Sequence, residues 1–192
     1  MYLVKDFESF FKAIRRKYKQ MKKENGTTVY TFGILLADAS RVRVEHELSL
    51  SLTKIHRLSK ERFHFFAPGY TKSKSSISVS FDNEQVFFDK NAYDGFIESF
   101  RYIMGERYNF HNGPVLILLE MDGRDLEHAE YHIIPLDRKG HNIFEICEQI
   151  ICYSKITNSI EDFISHYREE KIVSNILRLP DIISFFSQFI PK

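Results

Sequence analysis

Tryptophan is absent from this 192-residue sequence, and cysteine occurs only twice. Cys147 and Cys152 are five apart in a stretch with helical periodicity. That spacing points them to different faces, too far apart to bond to each other. No Cys-x-x-Cys occurs, so neither a disulfide framework nor a paired-thiol redox site is expected, and reduced thiols fit a cytoplasmic protein. The opening residues, Met1-Tyr2-Leu3-Val4-Lys5-Asp6, lack the apolar segment of a signal peptide. No apolar run approaches the roughly 18 residues that a membrane-spanning helix needs. The patterns G-x-x-x-x-G-K-[ST], G-x-S-x-G, H-E-x-x-H and G-x-G-x-x-G are also missing. With them go the P-loop, the nucleophile elbow, the zinc-protease helix and the dinucleotide fingerprint.

What is present is aromatic and unevenly charged. There are 18 Phe and 10 Tyr in a chain that is 43% hydrophobic and 28% charged, an ordinary globular composition with material for a large core. The length suits one domain. We divide it into an N-terminal helix (1–26), an α+β core (27–136) and a C-terminal helical segment (137–192). Net charge is +1, yet seven of the 27 basic residues and none of the 26 acidic ones fall between positions 12 and 23. The rest of the chain is therefore acidic. A basic helix of this kind either docks on its own acidic body or contacts an anionic partner.

Phe7, Phe11, Ile14, Tyr18 and Met21 recur at spacings of four, three, four and three, with Phe10 alongside. That pattern predicts an amphipathic helix over 6–24, stopped by Asn25-Gly26. Residues 27–37 are β-rich. Residues 41–53 alternate apolar and polar without a miss and favour a strand. The spacing of Val44, Leu48, Leu52 and Ile55 offers a helix over 44–60 as the alternative. A short aromatic strand over 62–67 ends at Pro68-Gly69, and a loop follows over 70–76. A hairpin over 77–88 turns at Asp82-Asn83. Asn91 with Asp94 is expected to cap a helix running to Gly105. Residues 113–136 predict two further strands, the first apolar on both faces. Helices are expected over 142–154, from Ser159 onward, and over 181–190.

Tight turns between neighbouring strands indicate α+β: a mostly antiparallel sheet on which the N-terminal helix and the C-terminal helices pack. The alternative is a minimal thioredoxin-like α/β order, which requires 44–60 to be helical and puts Gly113-Pro114 where that fold places its proline. Its redox cysteines are missing from Asp38-Ala39-Ser40-Arg41-Val42-Arg43, so that fold is catalytically silent here.

Candidate chemistry concentrates on one strand. His128, Glu130 and His132 stand at i, i+2 and i+4 and share a face. Two imidazoles and a carboxylate there could hold a zinc-like metal or supply an acid–base pair. The stretch H-A-E-Y-H-I-I-P resembles in part the histidine-triad nucleotide hydrolases and transferases. His128 and His132 match the first and third histidines, while Glu130 stands where that family has its nucleophile. The upstream A-P-G-Y-T-K is loosely similar to that family's proline-glycine-histidine segment, with Tyr70 in the histidine's place. The resemblance implies a nucleotide or phosphoester site; separately, Lys72, Lys74 and Arg124 offer charge and hydrogen bonds to hold phosphates.

Three functions follow as expectations. The first is a non-catalytic protein working through a protein partner or as a homo-oligomer. Its surfaces are Arg15, Arg16, Lys19, Lys22 and Lys23 on the basic helix and Phe185, Phe186 and Phe189 on the last one. The second is an enzyme or binder directed at nucleotides or phosphoesters and centred on His128, Glu130 and His132. The third is nucleic-acid binding through the basic helix.

Overall fold

The computed structural model describes residues 1–26, 29–59, 63–75, 77–104, 113–123, 126, 129–136, 143–154 and 161. Its elements, in chain order, are β1 (Tyr2–Val4), α1 (Phe7–Asn25), β2 (Tyr30–Leu36), α2 (Val42–Ser59), β3 (Phe65–Pro68), β4 (Tyr70–Thr71), β5 (Ile77–Phe81), β6 (Glu84–Phe88), α3 (Lys90–Met104), β7 (Val115–Met121), β8 (Glu130–Pro135) and α4 (Ile143–Tyr153). The fold is α+β, with α1 packed against the sheet. The expected helices from Ser159 onward and over 181–190 lie outside the described residues, as does Gly105.

A five-stranded sheet runs β1-β3-β2-β7-β8, and a three-stranded antiparallel sheet runs β4-β6-β5. In the larger sheet β3 pairs parallel with both β1 and β2, while β7 pairs antiparallel with β2 and β8. The parallel pairs explain the main departure from the sequence reading. Residues 41–53 are not a strand; they open the 18-residue helix α2. Parallel neighbours cannot be joined by a tight turn, so the chain from β2 to β3 must cross over, usually as a helix. The buried positions of α2 beyond residue 50 include Leu52, Ile55 and Ser59, a helical spacing that strict alternation would not give. The helix required by the thioredoxin-like alternative is thus present, and Pro114 stands directly before β7. The three-stranded β4-β6-β5 sheet is no part of that alternative.

β1 crosses to β2 through α1, and β2 crosses back to β3 through α2. Two crossovers of the same hand in opposite directions place their helices on opposite faces of the sheet. On α1's face the sheet offers Tyr2, Phe32 and Phe66, all in ring contact with one another or with His64. Phe10 of α1 is fully buried and meets Phe66, Phe96 and Phe100 edge-on, at 5.4, 5.4 and 6.5 Å between ring centres. These contacts join α1, the sheet and α3 through one residue. α2 contacts α4, where Ile143, Ile146, Cys147 and Ile150 are buried.

Local chemistry sets the boundaries. Asp6 caps α1 by accepting from the Ser9 N–H, and Ser9 returns a bond from the Asp6 N–H to its own hydroxyl. Gly26 ends the helix at φ 70°, donating to the Lys22 carbonyl. Asp82 and Asn83 both have positive φ (47° and 68°), the conformation of a type I′ turn between β5 and β6. The cap of α3 is Asp89 rather than Asn91, because the Ala92 N–H reaches the Asp89 carboxylate at 3.1 Å. The start of the expected 70–76 loop is strand β4, which pairs Tyr70 with Phe88.

Removing the Phe10 ring should break three interfaces at once. Phe10→Ala is expected to cost about 3–5 kcal/mol in urea denaturation. A loss below about 1 kcal/mol would show that α1 is held by other contacts.

Candidate functional site

The basic helix gives the clearest geometry. At 100° per residue Arg15, Arg16, Lys19, Lys22 and Lys23 fall within about 120° of the surface of α1. All five are exposed. Phe10, Ile14 and Tyr18 are buried, so the apolar and basic stripes face away from each other. Lys12 is taken up by Glu8 at 2.5 Å, and Lys17 bonds to Gln20 and lies over the Tyr2 ring. Arg15 lies 5.1 Å over the Phe11 ring. Among the described residues no carboxylate pairs with any of the five. Lys22 and Lys23 sit in the last turn, where the helix dipole favours cations. Arg15 has the Phe11 ring beneath it, but Arg16 and Lys19 have no such local reason. Arg15–Lys19 and Lys19–Lys23 are like-charge pairs at i, i+4, each costing a few tenths of a kcal/mol.

The histidine-bearing strand is less coherent. His128 and Arg124 lie outside the described residues, as do Phe185, Phe186 and Phe189. Glu130 opens β8, exposed and directly across from Glu120. His132 shares that face, half-buried, opposite Leu118, which is buried. The face is polar at its Glu120–Glu130 end, and beyond it β7 offers His132 only apolar residues, Leu118 and Leu116. Among the described residues no group of three His, Cys, Asp or Glu is gathered to hold a metal. Lys72 pairs with Glu84 at 2.8 Å, and Lys74 is exposed in the loop after β4. These two are not brought to Glu130 by any shared element.

Two clusters were not legible in the sequence. Asp38 follows β2 and accepts from the Ser40 N–H at 3.0 Å. Its other oxygen has Lys90 at 3.7 Å and Arg41 at 3.8 Å. Nearby, the buried Tyr70 hydroxyl has no hydrogen-bond partner among the described residues. Burial, with Tyr93 and Asp38 adding to it, holds the Tyr70 phenol above its usual range, and burial does the same to Tyr93. These groups meet where β2 and β3 end side by side, a juxtaposition that only the parallel pairing creates. The second cluster centres on His56. Its Nδ1 lies 3.2 Å from the Met1 amine, and its Nε2 lies 3.6 Å from the Asp82 carboxylate, which also takes Arg57. No hydroxyl or thiol among the described residues bonds to that ring, so the pair lacks the nucleophile of a hydrolytic triad. The two cysteines part as expected: Cys147 is buried, its thiol pushed up to about 12 by burial, and Cys152 is exposed.

No helix among the described residues is long and apolar enough to cross a membrane. No known family, curated protein or solved structure matches the chain.

His64 is the buried histidine on α1's face, its Nδ1 3.2 Å from the Tyr2 hydroxyl. Burial, then the charges of Lys17 and the N-terminus, lower its pKa to about 4 from 6.5. Above pH 6.5 the ring is neutral folded or unfolded and costs nothing. Between about 6.5 and 4 only the unfolded chain takes up the proton, so stability falls as pH falls. The loss should reach about 3 kcal/mol. Denaturation of the wild type and a His64→Gln variant at pH 7 and pH 4 checks this: the variant should lose less on acidification. Equal acid losses would mean that His64 can be protonated in place.

Proposed function

We propose that this protein works by contact with a macromolecular partner and that the basic face of α1 is the contact surface. The observation carrying this reading is that five exposed cations share one face while no described carboxylate pairs with them. The alternative purpose for such a helix, docking on the protein's own acidic body, finds no ion pair among the described residues to support it. Arg15 covers the Phe11 ring, but folding alone disfavours Arg16 and Lys19, since they are exposed and repel their neighbours. A residue that costs stability without packing is best accounted for by something outside the chain.

An enzymatic reading has less behind it. Asp38 is matched by Arg41 and Lys90, and no nucleophilic hydroxyl or thiol among the described residues bonds to the ring of the His56–Asp82 pair. Glu130 and His132 share a face with Glu120, but no group of three metal-ligating side chains gathers among the described residues.

Heparin, a generic polyanion, tests the reading. The wild-type chain should be retained on a heparin column at about 150 mM salt, within the screening range of physiological ionic strength. An Arg15→Ala, Arg16→Ala, Lys22→Ala triple variant should elute without retention and keep its far-ultraviolet spectrum, because exposed substitutions change stability little. Elution of wild type and variant together would remove α1 as the contact surface.

A further inference from the structure

We infer that the partner of α1 is the phosphate backbone of a nucleic-acid duplex, engaged without reading its bases. The inference rests on the proposed contact face and adds to it the chemistry of the partner.

The first support is the layout of charge. From Arg15 to Lys23 the helix advances about 12 Å. The five cations of the face lie along that length, with Lys17 beside them and no acid between. One strand of a duplex presents about three or four phosphates over the same distance, and both strands about seven. A continuous line of one sign fits a continuous line of the other. Protein surfaces, in contrast, mostly intersperse both signs.

The second support is what the face lacks. Single-strand binders stack bases on exposed aromatic rings. Here Phe10 and Tyr18 are buried, and Phe11 is half-buried beneath Arg15. Arginine and lysine can contact guanine edges, but reading the other bases takes amide, hydroxyl or carboxylate side chains in the groove. The face offers cationic donors alone, which serve phosphates. A helix that binds lipid bilayers inserts its apolar stripe. The apolar stripe of α1 is committed to the core, with Phe10 and Ile14 fully buried. Among the described residues the exposed large apolar ones, Leu58 and Tyr102, belong to α2 and α3.

The third support is attachment. α1 is capped at both ends and anchored through Phe10, so its cations are presented on a rigid element rather than a mobile tail. Binding therefore has no helix to form, and affinity should follow charge directly.

The test uses the full chain and labelled 20-base-pair duplexes of DNA and RNA, one AT-rich and one GC-rich of each, titrated at several salt concentrations. With about five phosphates neutralised, the log–log slope of affinity against salt should be about −4.5 for DNA, a fall of about 500-fold between 50 and 200 mM. Arg16→Ala and Lys22→Ala should each reduce the slope by about 0.9. The AT-rich and GC-rich probes should bind alike. Heparin retention without duplex binding would overturn this inference and leave the contact face standing. So would tighter binding to phosphatidylserine vesicles than to duplex. A flat salt response, or a strong preference between the duplex sequences, would overturn the phosphate mode. Failure to bind heparin, duplex and vesicles alike would overturn both the inference and the proposal beneath it.

Discussion

The burial of Phe10 is the constraint on which the rest of this structure depends. Its ring touches Phe66 of β3 and Phe96 and Phe100 of α3, so one side chain joins two helices to the sheet. Ile14 and Tyr18 continue the same buried line along α1. Once that line is committed inward, the rotation of the helix about its axis is fixed. Arg15, Arg16, Lys19, Lys22 and Lys23 then have no freedom to turn toward the body. The polarity of the surface is thus a consequence of the packing of the core.

The same commitment organises the sheet. With α1 on one face, the return crossover places α2 on the other, and β3 lies between β1 and β2. β7 is enclosed between β2 and β8, and Val115 to Leu119 are all buried. The ends of β2 and β3 coincide, and there Asp38 gathers Arg41 and Lys90 beside Tyr70 and Tyr93. Asp38 is matched by two cations, and both phenols are held neutral by burial. That balance suits a structural charge cluster better than a catalytic one.

Elements whose signal is local were legible in the sequence. α1 was visible because its apolar period continues over four turns. The β5–β6 hairpin was visible because Asp82-Asn83 tolerates positive φ, and β7 because an apolar run of that length needs burial on both faces. Elements decided by tertiary context were not. Residues 41–53 alternate as a strand would while Val44, Leu48, Leu52 and Ile55 keep a helical spacing, and the parallel pairing of β2 and β3 decides for the helix. β1 has three residues, too short for any periodicity to register. Asp89 caps α3 one position before the first helical residue, and Asn91 had the same chemistry in the wrong place. The basic residues of α1 were legible as a stripe, but their exposure without carboxylate partners was not. For Glu130 and His132, alternation correctly gave a shared face. It did not give the buried Leu118 opposite His132, because that depends on the register with β7.

The central claim is that the two faces of α1 serve different ends, one holding the fold and the other meeting a polyanion at some cost in helix stability. Lys19 separates the two most directly. Lys19→Glu replaces repulsion with attraction toward Arg15 and Lys23, and its glutamate stands four residues before Lys23, the favourable order. Paired measurements of urea denaturation and duplex affinity on this one variant decide the matter. The account predicts a protein more stable by about 0.5–1 kcal/mol whose affinity falls at least tenfold. A variant that binds as well as wild type, or that loses affinity only because it has lost stability, would contradict it.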